Sequence, residues 1–562
     1  MNRRNSSALL VSDFNVEGFR ALFANDPGEP GVTATCAPFG EVYPALLGNN
    51  LDDGSFDFGV VWTRPEGVSK AFQQAVDGRP FAVQEILAQV DQFAAALARF
   101  AGRVHHLFVP TWVVPPHRRG FSLFDMQNHA GASNLVMRMN LRLCDALQDN
   151  AAVFVLNTSK WIENAGGFAM NPKSWFLGRI AFGPEVFKDA VSDIKGLLNA
   201  ASGRSRKLIL LDLDDTLWGG TVGEDGWQNL RLGGHDPQGE AFLDFQRQLK
   251  ILARRGVLLG IVSKNEENVA IEAIQRHPEM VLRVEDFAGW RINWADKAEN
   301  IAALLAELNL TPAAAVFLDN DPAERDRVRR ALPEVLVPDW PADKMLYSRE
   351  LWRLRCFPAV AVSAEDRSRQ ELYAIKRQGD ALKTRCQSVD EWLASLQLVL
   401  TVEEAGPESM PRVLQLLNKT NQMNLSTRRL SAAELSAWLA GGRRELWTVR
   451  VKDRFGDSGL AGLFSLEIQD TTAQLIDFVL SCRVLGRRVE ECMVRLATEQ
   501  ARRLGAGRLR AQCLPTPKNK PCLDFWQNLA GFACDPETTT YWRELDAPLP
   551  EVPHVTIERS PA

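Results

Sequence analysis

A chain of 562 residues, 46% apolar and 24% charged, is too long for one ordinary domain and too apolar for a disordered or fibrous one. Its net charge of −5, from 65 basic and 70 acidic residues, leaves no global basic footprint and argues against a nucleic-acid partner. Nine cysteines without CxxC pairs or zinc-type spacing exclude a disulfide scaffold. No apolar run approaches membrane-spanning length, and the short run Ala8–Val11 is broken by Ser12 and Asp13 before it could serve as a secretory segment. The expectation is a cytoplasmic protein with reduced thiols and no membrane partner.

In chain order, residues 1–200 alternate strand-like and helix-like patterns. Ala8–Val11, Phe58–Trp62, His106–Val109 and Ala152–Leu156 are apolar runs of strand length, and Val83–Phe100 has helical character. This predicts an α/β domain with a parallel sheet. Ala200–Arg206 is small, polar and basic, as a linker would be. Residues 207–345 repeat the alternation, with strands at Lys207–Leu211, Val257–Ser263, Met280–Val284 and Ala314–Leu318, and helices at Glu240–Arg255, Glu266–Arg276 and Lys297–Leu308. A charged helical connector, residues 346–397, leads to a third unit, residues 398–545. Its predicted strands are Leu398–Val402, Glu445–Val451, Leu460–Ile468, Ala473–Leu480 and Gly507–Cys513, and its helices Met410–Leu417 and Val489–Leu504. The Pro-rich tail, 546–562, is expected to be loose.

The strand Leu208–Leu211 ends abruptly in Asp212-Leu213-Asp214-Asp215-Thr216. Carboxylates delivered to a strand tip need a cation, because burying them unpaired is costly. Mg²⁺ prefers oxygen ligands and keeps positions open for substrate phosphate. The next strand ends in Ser263-Lys264-Asn265, and a later one in Asp319-Asn320-Asp321, with Arg291-Ile292-Asn293-Trp294 and Lys297 between. A nucleophilic carboxylate, an acid, a hydroxyl, a cation and a further carboxylate are what phosphoryl transfer requires. Thr216, Lys264, Asn265, Arg291 and Asn293 are the accompanying phosphate-binding candidates. Taken singly, Ser263 could be a helix cap and Lys297 a solvated helix start.

These four motifs resemble the haloacid dehalogenase superfamily. The resemblance implies Asp212 as the nucleophile that becomes aspartyl-phosphate and Asp214 as the acid, its backbone carbonyl on Mg²⁺. It implies Ser263 holding the phosphoryl group, Lys297 neutralising charge, and a metal set of Asp212, Asp214 and Asp319. Asp321 is a second candidate for the last position. More narrowly, Leu211–Gly226, His277-Pro278-Glu279-Met280, Arg291-Ile292-Asn293-Trp294 and Asp319–Arg325 resemble the FkbH family. So do Leu417–Arg429 and Pro515-Thr516-Pro517-Lys518-Asn519 with Phe525. Members usually carry Asn at position 215 and Asp-Asn at 320–321. This chain has Asp215 and the swapped Asn320-Asp321, which bears on which side chain supports the metal.

The third unit resembles an N-acetyltransferase (GNAT) domain. Phe478–Leu480 enters Ser481-Cys482-Arg483-Val484-Leu485-Gly486-Arg487-Arg488, a strand, a turn and a helix start that would cradle an anion on unpaired N–H groups. Arg483, Gly486, Arg488 and Asn519 are the candidates for holding a carrier's phosphopantetheine. Arg488 replaces the small residue that acetyl-CoA binding favours. Cys482 is a candidate nucleophile, or a plain buried thiol, and Cys513 a second. Arg428-Arg429, Arg443-Arg444 and Arg487-Arg488 are either solvated surface or a dock for an acidic carrier protein. In the first unit, Ser12-Asp13-Phe14-Asn15 resembles the serine block of SGNH-type hydrolases without its Gly-Asp-Ser order. His129 lacks the matching Asp-x-x-His context, so a degenerate scaffold is expected.

The fold expectation is therefore an SGNH-like α/β domain (1–200), a Rossmannoid haloacid dehalogenase-like domain (207–345) and a GNAT-like α+β domain (398–545). The resemblance implies a Mg²⁺-dependent glyceryl transferase/phosphatase that draws on D-1,3-bisphosphoglycerate and yields glyceryl-S-acyl carrier protein for polyketide assembly. No Asp-Ser-Leu phosphopantetheine site occurs, which implies a discrete carrier. The alternatives are a phosphatase with a vestigial third domain and a non-catalytic docking protein of a synthase cluster.

Overall fold

The computed structural model describes residues 5–48, 56–120, 122–357, 388–454, 456–516, 519–546, 549 and 552–559. It divides into two compact units, Met1–Asn199 and Ala200–Ala562.

The first unit is built on β1 (Ser6–Ser12), β2 (Val32–Cys36), β3 (Phe56–Trp62), β4 (Val104–Pro110) and β5 (Val153–Leu156), all parallel in the order β2-β1-β3-β4-β5. This doubly wound order buries both faces. Leu9 and Val11 point to one core, packed by α1 (Val83–Ala101) and α2 (Ala132–Leu147), while Ala8 and Leu10 point to the other, packed by Phe19, Phe23 and Trp161. The edge strand β2 was not expected. Its polar, half-exposed residues, Thr33 and Thr35 among them, hide the apolar signal of a strand.

In the second unit, β6 (Leu208–Leu211), β7 (Leu258–Ser263), β8 (Gly289–Ile292) and β9 (Ala315–Leu318) form a parallel sheet in the order β8-β7-β6-β9. Ile209 and Leu211 face α3 (Pro237–Arg254) and α4 (Glu267–Arg276), while Leu208 and Leu210 face α5 (Lys297–Glu307) and Val328 of α6 (Pro322–Ala331). The expected strand at Met280–Val284 is replaced by β8. The Gln246 side-chain carbonyl accepts from the N–H of Val281 and Leu282, and Lys250 Nζ donates to the Val281 carbonyl, so side chains do there what a ladder would. Arg206, in the expected linker, is pinned. Its Nη1 donates to the carbonyls of Ala313, Ala315 and Glu334. The expected helical connector is described only at its ends, as α7 (Tyr347–Arg353) and α8 (Val389–Ser395). Residues 358–387 lie outside the described residues.

The remaining elements form a nine-stranded mixed sheet. In chain order they are β10 (Leu398–Glu404), α9 (Met410–Lys419), β11 (Met423–Asn424), β12 (Arg444–Asp453), β13 (Gly456–Gln469), β14 (Thr472–Leu480), α10 (Val489–Arg503), β15 (Arg508–Gln512), α11 (Lys520–Gln527), β16 (Ala533–Asp535), β17 (Thr540–Glu544) and β18 (Val555–Arg559). The tail expected to be loose supplies β18, which pairs parallel to β10 at the sheet edge. Strands β14 and β15 pair over Thr472–Leu475 and then diverge. Diverging strands leave main-chain groups without partners. Here β11 fills the wedge, with the Leu425 N–H donating to the Phe478 carbonyl and the Leu514 N–H to the Leu425 carbonyl.

Beneath this wedge Asp477 is fully buried. Its carboxylate accepts from Arg428 Nε at 2.8 Å, Ser426 Oγ at 2.9 Å and Ser465 Oγ at 2.6 Å. Removing one partner of a buried pair costs far more than the pair contributes. Arg428→Met is expected to destabilise the protein by about 3 kcal/mol, with Arg428→Met/Asp477→Leu recovering part of the loss, as read from thermal and urea melts.

Candidate active site

Strand ends β6, β7 and β9 and the start of α5 bring the acidic centre together. Asp212 follows β6, its N–H donating to the Leu318 carbonyl of β9, which fixes it beside Asp319. Asp319 is fully buried and Asp212 nearly so. Lys297 Nζ lies between them, 2.8 Å from Asp212 Oδ1 and 2.6 Å from Asp319 Oδ2. Lys297 reaches this point because Asp296 caps α5, accepting from the N–H groups of Ala298 and Glu299. Burial opposes the ammonium, but the two carboxylates outweigh it and hold Lys297 above its ordinary range. Burial, and the negative charge of Asp212 beside it, push Asp319 up to about 6.

Asp214 is turned the other way. Its Oδ1 accepts from Trp218 Nε1 and the Val222 N–H, and its Oδ2 from Asn265 Nδ2 at 3.0 Å. Burial raises its pKa above the usual carboxylate range, and the adjacent charge of Asp212 adds to this. A carboxyl whose pKa is raised is better suited to protonating a leaving oxygen. Asn265 also donates to Ser263 Oγ at 3.2 Å, so the β7 tip and the acid are linked. Thr216 Oγ1 is 3.3 Å from Asn320 Oδ1 and at the limit of contact with Asp212.

Other expected residues are placed differently. Arg291 is spent on Glu307, at the end of α5 remote from Lys297, and so lies away from the acidic centre. Lys264 pairs with Glu324 at 2.5 Å. Asn293 exchanges hydrogen bonds with Asn300 and holds the turn before α5. Asp321 caps α6 through the Ala323 N–H instead of facing the centre. Asn320, which sequence reasoning treated only as a motif departure, is the one of the two that points at Thr216. The sequence signal for this was the Asp-Pro pair at 321–322, which marks a helix start. Trp294, 67% exposed on the loop after β8, was likewise used only as a motif letter.

Among the described residues, no three His, Cys, Asp or Glu side chains converge as a ready-made metal cage. The Asp214 carboxylate is committed elsewhere, so the side-chain donors that remain are Asp212 and Asp319. Two buried carboxylates sharing one ammonium leave a negative balance of hard oxygen donors. That balance fits Mg²⁺, which is usually held by one or two carboxylates and several waters.

In the third domain the expected anion cradle is already filled. The Gly486 N–H donates to Glu490 Oε1 at 2.9 Å, so a carboxylate of the chain itself sits at the start of α10. Arg488 adopts a left-handed conformation (φ 59°) and pairs with Asp390. Asn519 is fully buried. Its amide donates to the Asn424 and Leu514 carbonyls and accepts from the Thr516 N–H, so it has no group to offer a carrier. Nothing is described of the Arg483 side chain. The basic cluster is not a free patch either: Arg428, Arg444 and Arg487 pair with Asp477, Glu467 and Asp453, and Arg429 and Arg443 donate to main-chain carbonyls. Cys513 is buried 3.9 Å from the Cys522 sulfur.

Cys482 is half-buried after β14, and its carbonyl accepts from Asn309 Nδ2. It lines a cleft with Lys207, Leu258 and Ala314, which lie at the amino-terminal edge of the parallel sheet. Asp212 lies at the opposite edge, roughly 16 Å away at 3.3 Å per strand residue. The two candidate nucleophiles are not brought together. In the first unit, Ser12 Oγ accepts from the Phe14 N–H, and Asp125 accepts from Ser133 rather than pairing with His129, which is exposed.

No family model matches the chain, and no curated protein matches it. Among solved structures, the N-terminal part of a Bacteroides fragilis protein containing a phosphatase domain, crystallised with Mg, is 24% identical at a TM-score of 0.58. The match covers 64% of this chain and 95% of that one, and it shows a shared fold. A GNAT-family acetyltransferase from Staphylococcus aureus (10% identity, 26% of this chain and 99% of that one) has a TM-score of 0.21. The ribosomal-protein-S18-alanine N-acetyltransferase of Escherichia coli (8%, 27% and 97%) has one of 0.20. Likenesses so slight do not assign the third domain. No helix among the described residues is long and apolar enough to cross a membrane.

Two outcomes are expected. Lys297→Met leaves two buried carboxylates facing one another and costs about 3 kcal/mol at pH 8. Because their folded pKa values are then raised, stability is present at low pH and lost as pH rises through those values. The deficit in thermal melts should therefore shrink at pH 5. Burial likewise pushes Glu490 up to about 7 from its ordinary 4.5, so its stabilising, protonated form is lost as pH rises through 7. Glu490→Gln should be more stable than the parent at pH 8 by on the order of 1 kcal/mol, with little difference at pH 4.

Proposed function

We propose that the protein is a Mg²⁺-dependent phosphatase of the haloacid dehalogenase type, of the FkbH kind, acting within a glyceryl transfer to a carrier protein. The observation that carries this reading is the buried Asp212–Lys297–Asp319 centre, with Asp214, its pKa raised by burial, two residues beyond Asp212. Asp212 and Asp319 would hold Mg²⁺, which supplies charge neutralisation at the phosphoryl oxygens. Asp212 attacks phosphorus, Ser263 and Lys297 receive the phosphoryl oxygens, and Asp214 gives its proton to the leaving alcohol oxygen.

The substrate class consistent with both activities is D-1,3-bisphosphoglycerate. Attack by Asp212 at the C1 acyl phosphate would destroy the activation, so Asp212 is assigned to the C3 phosphate ester. A thiol attacks the C1 carbonyl, forming the C–S bond of a thioester as the C1–O bond breaks and inorganic phosphate leaves. The position of Cys482 at the opposite sheet edge favours the phosphopantetheine thiol of a discrete acyl carrier protein over Cys482, since a three-carbon unit held there cannot reach Asp212. The first unit, with Ser12 and His129 unlinked, serves as a scaffold.

A second reading, a phosphatase on small phosphate esters with a non-catalytic third domain, is favoured by the filled cradle and the filled wedge. Intact-mass spectrometry of carrier incubated with protein, Mg²⁺ and the bisphosphate separates the two. A glyceryl adduct that vanishes with Asp212→Asn and persists with Cys482→Ala supports transfer. Phosphate release from small esters with no adduct on any cognate carrier leaves the second reading. Absence of both, with no Mg²⁺ binding, removes the enzyme reading altogether.

A further inference from the structure

The turn that carries Asp214 is held by residues at the edge of the expected helical connector. Asp215 adopts a left-handed conformation (φ 53°), which is costly for a residue with a side chain. Its carbonyl accepts from Lys344 Nζ at 3.0 Å and from the Tyr347 hydroxyl at 3.2 Å. Its carboxylate lies 3.6 Å from the same ammonium and accepts from the Gly220 N–H at 3.2 Å. Tyr347 is rooted in the core, its ring 6.0 Å from that of Phe242 and 5.5 Å from that of Phe245, both on α3. A turn carbonyl needs one donor, which water commonly supplies. Two side-chain donors, one of them an ammonium on a side chain only 15% exposed, do more than satisfy it.

The consequence falls on Asp214. Its carboxyl accepts from Trp218 Nε1 and the Val222 N–H, and both donors lie beyond the reversal at Asp215. Returning Asp215 to an ordinary backbone conformation would swing Asp214 away from them. We propose that Lys344 and Tyr347 are positioning residues: by holding Asp215 in its left-handed turn, they fix where the Asp214 carboxyl faces. Neither touches the Asp212–Lys297–Asp319 centre, so they act through Asp214. The proposal rests on the reading of Asp214 as the acid that protonates the leaving oxygen.

The test compares Lys344→Met and Tyr347→Phe, each made singly in the full-length protein and checked by thermal melt, on two phosphate esters with Mg²⁺. The alcohol oxygen of 3-phosphoglycerate needs a proton to leave, whereas p-nitrophenolate leaves without one. Each variant should lower kcat for 3-phosphoglycerate about tenfold and change that for p-nitrophenyl phosphate less than about twofold. Introduced into Asp214→Asn, neither should cause further loss on 3-phosphoglycerate, because the group through which it acts is gone. Hydrogen exchange, read by peptide mass spectrometry, should quicken over residues 213–222 in both variants, independently of turnover. Equal loss on both esters, additive loss in the Asp214→Asn background, or unchanged exchange at 213–222 would overturn the positioning role while leaving the phosphatase reading intact. A parent protein that releases phosphate from neither ester fails that reading, and the positioning role falls with it.

Discussion

One ammonium group, that of Lys297, holds the acidic centre in its folded form. It lies between two buried carboxylates that come from different strands, whose like charges would repel one another without it. Three elements must meet for this to happen, the ends of β6 and β9 and the capped start of α5, and each is placed by a different part of the core. The same arrangement sets what chemistry the site offers. It leaves hard oxygen donors with a residual negative charge, and it leaves Asp214 outside the pair, where burial raises its pKa.

The third domain follows the opposite rule. Much of its buried polarity is met from within: Asp477 by Arg428 and two serines, Arg487 by Asp453, the Gly486 N–H at the start of α10 by Glu490. Its diverging strands are closed by β11. A domain whose anion cradle and strand wedge are both occupied by its own chain is not poised to take a cofactor in those places.

Much of this was legible beforehand, and the misses have physical causes. Continuous apolar runs announced β1, β3, β4, β6, β7 and β9, because strands buried on both faces must be apolar throughout. Edge strands β2 and β18 were missed because half of each faces solvent. Met280–Val284 looked like a strand because burial alone produces an apolar run, whereas Gln246 and Lys250, distant in sequence, satisfy its backbone. Arg291 looked like a phosphate ligand from its neighbours in the motif, yet its partner Glu307 lies at the far end of a helix.

By itself, the sequence determined which chemistry is available: carboxylates and a hydroxyl at strand tips and a lysine at a helix start, in an order that folds them to one edge of a parallel sheet. Residue type and strand polarity are local properties, so a linear reading reaches them. Only the tertiary structure decided which groups meet. It set Asn320 rather than Asp321 toward the centre, filled the Gly486 turn with Glu490, and put Cys482 and Asp212 at opposite edges of the sheet. Those outcomes depend on which side chain satisfies which buried group, and that competition is decided only once the chain has folded.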